Sequence, residues 1–297
     1  MPDVIGTLLP LALAFIMFAV GVTLVPADFT RLFREPRAVV AGLIGQLVLL
    51  PLFAWGLAVA WRLPPEMAVG LVILGACPGG ASSALITHLA RGTAALSVTL
   101  TAITSVVALV SMPVVVQLGL QSFLGDRSEI EFSILRLVRG VFVITTVPVA
   151  LGMLLRALRP ALVERWQAGL GRVATTLFVL IVIATFVSQR GPLLANLGTV
   201  GPAAASLNVA VMLSGVLLGQ LFRLDRRDAI AIASECGLQN AALGIFISTV
   251  LLGAATLAVP SVVYALLMNV GALALIVFGR RWLAPRGRGG TPAPVAG

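Results

Sequence analysis

The stretch Ala233-Ser234-Glu235-Cys236-Gly237-Leu238-Gln239-Asn240 decides the fold. It sets a carboxylate, a glycine and a carboxamide pair in the middle of an apolar run long enough to cross a bilayer. A second interruption, Cys77-Pro78-Gly79-Gly80-Ala81-Ser82-Ser83, lies in the middle of an earlier run. Proline removes a helical donor and glycine weakens a helix, so both stretches are expected to be unwound. Unwinding frees backbone N–H and C=O groups, which at membrane depth are tolerated only against protein or a water-lined cavity. One such break in each half of the chain is the sequence pattern of a secondary transporter with its site near the bilayer midplane.

Working outward, the composition fits a bilayer as solvent. Of 297 residues, 59% are hydrophobic and 10% charged, with a mean hydropathy of +1.09; a soluble domain carries about 25% charged residues. The net charge is +9 and all 20 basic residues are arginine. That charge reads as positive-inside topology, and no solvated basic face offers itself to nucleic acid. Cys77 and Cys236 sit beside the breaks inside apolar runs, where small packed residues are expected rather than a disulfide or a thiolate site. The first apolar run lacks a basic n-region and a small-residue cleavage site, so it is read as a mature helix.

The runs predict an all-α integral membrane protein of nine transmembrane helices, each near the ~20 residues a span needs. They cover about 5–26, 37–60, 66–90 (broken at 78–82), 94–118, 134–157, 173–190, 201–222, 228–252 (broken near 236–240), and Pro260 to just before Arg280. Arg159, Glu164, Arg165, Trp166 and Arg172 suit an interfacial segment ahead of the sixth helix. The tail from about 284 is rich in Gly, Pro and Arg and is expected to be a disordered cytoplasmic tail. Most arginines follow odd-numbered helices, and the loop with Asp126, Glu129 and Glu131 follows the fourth. The chain therefore reads as a multi-pass protein of the cell (inner) membrane, N-terminus outside and C-terminus cytoplasmic. Helices 1–4 and 6–9 each carry the break in their third member, with one helix between, so the blocks are expected to be inverted repeats of four helices. Gln46 precedes the first break about as far as Asn208 precedes the second.

Glu235 is the pivotal residue, because other acids fall near helix ends or in loops. A carboxylate at membrane depth is costly and functional by default. It can bind a cation, carry a proton or pair with an arginine, and no arginine is expected in the membrane interior. Gln239 lies four residues on and shares a helical face with Glu235, while a break lets Cys236 and Leu238 add carbonyl oxygens. Such oxygens are hard ligands, suited to Na⁺ by extension from the other hard cations. Ser83, Ser97 and Thr101 add hydroxyls, the last two at i and i+4, although such residues also serve as packing glue between helices. Gln46, a lone carboxamide in an apolar run, has the same two readings. Gly79 and Gly80 open a half-helix whose free N–H groups would favour an anion; a plain Pro-Gly kink is the alternative. His88 reads as an interfacial cap at a helix end.

These residues resemble the bile acid:sodium symporter family. The likeness runs from Gly21-Val22-Thr23-Leu24-Val25-Pro26-Ala27-Asp28-Phe29 through Gln46 with Pro51, Cys77-Pro78-Gly79-Gly80 and Ala95-Leu96-Ser97-Val98 to Glu235-Cys236-Gly237-Leu238-Gln239-Asn240. It implies two broken helices that cross at the centre of a core domain, about 37–118 and 201–281, beside a panel domain, about 4–26 and 134–190. Alternating access would come from movement between them. It implies one sodium site at Ser83, Ala84, Ser97, Thr101 and Glu235, and another at Gln46, Glu235, Cys236, Leu238 and Gln239, partly through main-chain oxygens. Ala84 stands where the family commonly has Asn, which removes a side-chain oxygen from the first site; Ser82 is the neighbouring hydroxyl. Ala81 replaces a frequent Thr that can touch substrate, and Asn240 and Asn269 are the implied substrate-facing polar groups, beside Gly79 and Gly80.

The expectation is thus a sodium-coupled symporter, with one or two Na⁺, for an organic anion that is bile-acid-like or a small carboxylate such as pantoate. Its partners are the anion, Na⁺ and the lipid bilayer, and it is expected to be a monomer. Proton coupling through Glu235 and a non-transporting membrane binding protein are the alternatives. A membrane enzyme with Glu235 as acid/base lacks a nucleophile–base pair.

Overall fold

The computed structural model describes residues 2–80, 82–125 and 133–284, and every regular element among them is helical. The acidic loop at 126–132, Ala81 and the tail beyond Ala284 lie outside the described residues. Helix α1, Pro2–Gly21, ends sooner than its apolar run, and a second short helix, α2, Pro26–Arg34, follows. Pro26 is the cause: it opens a new helix at its first position, and Asp28 accepts from Val25 N at 2.8 Å. The arginine-bearing loop is therefore helical. Arg31 bonds Glu35 at 2.9 Å and holds that carboxyl below its ordinary value.

Among the described residues, six continuous helices are long and apolar enough to cross a membrane. They are α3, Pro36–Ala60; α6, Ala94–Phe123; α7, Ile134–Leu158; α8, Pro160–Ser188; α9, Arg190–Leu221; and α12, Ala255–Trp282. Two run longer than their apolar patterns predict. Pro160 starts α8 at its first turn, so residues 159–172 lead into that helix rather than form a separate interfacial segment. Helix α9 begins at Arg190, not near 201, and carries Pro202 within it. Helices α3 and α7 each widen into a π-helical turn, Gly45–Leu49 and Phe142–Thr146. In each case a proline, Pro51 or Pro148, follows within two residues, and its missing N–H and bulky ring disturb the preceding turn.

The two broken spans are α4, Pro65–Ala76, with α5, Ser83–Leu89, and α10, Arg226–Gly237, with α11, Ala241–Leu251. The leading halves α4 and α10 have 12 residues each. Helix α4 is apolar on nearly every side, α10 carries Ser234 and Glu235 in its last turn, and Met67–Ala76 and Ala229–Gly237 are buried throughout, as befits helices at the centre of a bundle. Small residues let α9 reach α10: a β-carbon at Gly215 would lie 2.5 Å from Ala233 Cα, and one at Gly219 would run into Ala229 Cβ. The helices just ahead of α4 and α10 stop in the same way. Arg62 and Arg223 take φ of +49° and +54°, and Leu63 N and Leu224 N reach back to Ala58 O and Gly219 O at 3.0 and 2.8 Å. This is a Schellman cap with arginine in the left-handed position that glycine usually fills.

The outer layer is different. Only 22% of the apolar window is buried in α7 and α8, against 44% in the other four long helices. Helix α1 packs on this pair: a β-carbon at Gly152 would sit 2.8 Å from Gly21 C, so the two helices cross almost backbone to backbone.

Candidate ion and substrate site

The two unwound segments, 77–80 and 238–240, meet and run antiparallel, with Gly79 opposite Gln239. Gly80 N donates to Leu238 O at 2.6 Å and Asn240 N to Pro78 O at 3.0 Å. Each break thereby satisfies backbone groups of the other, which answers the cost of leaving them bare at membrane depth. Gly79 and Gly80 serve close approach here. A β-carbon on Gly79 would run into Glu235 Oε1, and the N–H of Gly80 is spent on Leu238 O rather than free for an anion.

Glu235, on the last turn of α10, is 0% exposed. Among the described residues it has no basic partner, since the one ion pair there is Arg31–Glu35. Hydroxyls surround it instead. Thr101 Oγ1 lies 2.6 Å from Oε1 and Ser97 Oγ 2.9 Å from Oε2. Ser83 Oγ completes the group, 3.1 Å from Ser97 Oγ and 3.4 Å from Thr101 Oγ1. Helix α6 supplies Ser97 and Thr101 one turn apart, and Ser83 opens α5. Five side-chain oxygens thus share three hydroxyl protons, an oxygen-rich and proton-poor pocket beside a negative charge. Ala84 adds no oxygen, Ser82 is exposed, and His88 is exposed near the end of α5.

A second cluster lies on the other side of the crossing. Gln46 sits on the π-helical turn of α3, and its Nε2 donates to Cys77 O at 3.0 Å and to Gln239 Oε1 at 2.8 Å. Gln239 Nε2 donates to Cys236 O at 2.7 Å. Two carboxamides therefore bridge carbonyls at the two breaks. A carboxamide turned about its last bond offers oxygen where it offered nitrogen, so the same pair can face a carbonyl or a cation. The thiols of Cys77 and Cys236 are buried and unpaired with each other.

The structure brings Gln46, Ser83, Ser97, Thr101, Glu235, Cys236, Leu238 and Gln239 together at one crossing. Asn240 caps α11, its Oδ1 accepting from Leu243 N at 3.1 Å, and its Nδ2 lies 3.6 Å from Met17 Sδ on α1. Asn269 is exposed on α12 and donates to Ala265 O of its own helix at 2.7 Å, so it takes no part in the crossing. Three further contributors join it. Ser234 Oγ donates to Ser83 O at 3.0 Å, and Asn208 and Tyr264 both donate to Gly237 O. The sequence marked Asn208 only as the counterpart of Gln46, and left Ser234 and Tyr264 unassigned; the signal for Tyr264 is rarity, the chain's single tyrosine set in an apolar run.

The profile of the Sodium Bile acid symporter family matches residues 10–196. The uncharacterized sodium-dependent transporter YocS of Bacillus subtilis (strain 168) is 32% identical over 275 residues, 92% of this chain and 83% of that one. The probable sodium/metabolite cotransporter BASS2, chloroplastic, of Oryza sativa subsp. japonica is 28% identical over 273 residues, 92% of this chain and 64% of that one. The ileal sodium/bile acid cotransporter of Homo sapiens is 27% identical over 253 residues, 81% of this chain and 68% of that one.

Proposed function

Because the chain belongs to the sodium bile acid symporter family, a family of transporters and not of enzymes, we propose that it couples sodium entry to uptake of an organic anion by alternating access. The observation that carries this reading is Glu235, buried among hydroxyls with no basic partner among the described residues. A buried carboxylate without a counter-charge calls for a cation. Sodium at Ser83, Ser97, Thr101 and Glu235 would supply it, and a second ion would use Gln46, Cys236, Leu238 and Gln239 once the carboxamides turn their oxygens inward. The first proposed site joins Ser83 of one broken span to Glu235 of the other, and the second joins Gln46 of α3 to the second break, so ions there would tighten the crossing and favour the arrangement that receives substrate.

With Glu235 neutralised, the crossing can accept an anion without gathering net negative charge. The relatives include a bile acid cotransporter and a metabolite cotransporter, so the proposed range runs from small carboxylates to steroid-like anions. Asn240 at the start of α11 is the polar group placed to meet it, in the position where Met17 now lies. We further read the chain as a monomer of nine spans: the six continuous helices, α1, and the two broken pairs. The equal lengths of α4 and α10 and the matching arginine caps ahead of them support inverted repeats. The sparse burial of α7 and α8 supports a panel, with α1, beside a core. The arginine distribution supports a cytoplasmic C-terminus in the cell membrane.

One observation favours proton coupling as a second reading: Ala84 leaves the hydroxyl group around Glu235 without a further side-chain oxygen. A single experiment separates the two. The purified full-length protein is titrated with NaCl against choline chloride at fixed pH and its thermal midpoint followed, because a true ligand stabilises by mass action. Sodium-specific stabilisation is expected, and Glu235→Gln is expected to remove it. A midpoint that responds to pH but not to sodium would favour the proton; sodium stabilisation unchanged in Glu235→Gln would defeat the site altogether.

A further inference from the structure

Helix α10 ends inside the protein, so the carbonyls of its last turn need partners from elsewhere. The crossing supplies most of them locally. Ser234 O accepts from Leu238 N at 3.0 Å, Cys236 O from Gln239 Nε2 at 2.7 Å, and Leu238 O from Gly80 N at 2.6 Å. Gly237 O is held differently, by side chains of two other long helices. Asn208 Nδ2 of α9 donates to it at 2.8 Å and Tyr264 OH of α12 at 2.9 Å, while Asn208 Nδ2 also lies 3.1 Å from Tyr264 OH. The three groups form a closed triangle, with Asn208 3% and Tyr264 0% exposed. Met212 packs so closely that a β-carbon on Gly237 would run into its methyl group, so the turn is fixed on that side too.

The first break has a counterpart that sharpens the comparison. There Gln46 reaches Cys77 O, 31 residues on, as Asn208 reaches Gly237 O, 29 residues on. Each carboxamide comes from the helix just ahead of a broken span and ends on a carbonyl at the break. Gln46, however, also touches Gln239 and so belongs to the crossing. Asn208 turns instead to Tyr264, and the pair acts as a clamp.

We propose that Asn208 and Tyr264 are positioning residues for sodium. A peptide unit is rigid and planar, so fixing the Gly237 carbonyl on the α9–α12 side fixes the N–H of Leu238 with it and leaves the flanking planes only the φ and ψ of Gly237 and Leu238 to turn about. Cys236 O and Leu238 O, the two carbonyls read as sodium ligands, are then presented at the crossing. Neither clamp residue touches the ion; each acts through Gly237. This inference rests on the sodium reading of the crossing given above.

The test uses the purified full-length protein and the ions themselves, Na⁺ and Li⁺, titrated against choline at constant ionic strength. Tyr264→Phe removes one donor and keeps the ring. It is expected to weaken apparent sodium affinity roughly three- to ten-fold, the scale of one buried hydrogen bond. It is also expected to change the ratio of sodium to lithium affinity, because carbonyl orientation tunes cavity size. Asn208→Ala is expected to lose more; should it fail to fold, Tyr264→Phe decides alone. A role in packing only would lower the thermal midpoint equally with and without sodium and leave affinity and ion ratio untouched, which would overturn the proposal. Glu235→Gln runs alongside. A sodium response retained there defeats the sodium reading itself, whereas one lost there but unaltered in Tyr264→Phe defeats only the clamp.

Discussion

At the scale of single residues, the chemistry turns on which oxygens surround Glu235. Its contacts to Thr101 at 2.6 Å and Ser97 at 2.9 Å are made by carboxyl oxygens, and when the group is ionised such bonds are of the stronger class. Thr101→Val keeps the shape and removes the hydroxyl. It is expected to cost about 1.5–3 kcal/mol of sodium affinity, or at least ten-fold, in the same titration. These residues were legible in the sequence, because a lone acid at membrane depth and hydroxyls at i and i+4 carry their own physical argument. Ser234 and Tyr264 were not, and Asn208 only as the counterpart of Gln46, since their task is to hold backbone carbonyls whose positions exist only once two distant segments have met. Asn269 illustrates the reverse: a polar side chain in an apolar run that satisfies itself on its own helix.

At the scale of elements, the breaks were readable from proline and glycine, but their mutual pairing was not. The sequence gives no hint that Gly79 faces Gln239 across 160 positions. Nor does it show that the Gly80 N–H is consumed there rather than offered to an anion. Gly79→Ala is therefore a sharper test than a kink-relief argument would make it. Its methyl group meets the Glu235 carboxylate, so it is expected to destabilise the protein by about 1–3 kcal/mol. It should also abolish sodium-dependent stabilisation, both read from thermal midpoints. The helix boundaries that moved, at Pro26 and Pro160, moved because proline at a first turn starts a helix as readily as it ends one. Gly219→Val tests the close packing of α9 on α10. It is expected to cost about 1–3 kcal/mol and to lower the midpoint with and without sodium alike, since it meets Ala229 near the start of α10, well before Glu235.

At the scale of the whole molecule, the proposed movement runs along the seam between α7 and α11. There a β-carbon at Gly140 would lie 2.6 Å from Leu251 Cδ2. Gly140→Cys combined with Leu251→Cys is expected to crosslink on oxidation and to stop sodium-driven uptake into vesicles, with reductant restoring it. Crosslinked protein that still transports would rule out relative motion at that seam. Fold class was plain from hydropathy, whereas the division into layers was not, because lipid and protein neighbours present equally apolar surroundings to a helix. The antiparallel pairing at the crossing has one more consequence. It is made by main chain on both sides, so neither half of the polypeptide can slide without dragging the other, and side-chain drift cannot loosen the knot. Cargo and ions would accordingly ride on a single rivet, and the Met17–Asn240 contact, a soft thioether against an amide, is one that the proposed movement would break.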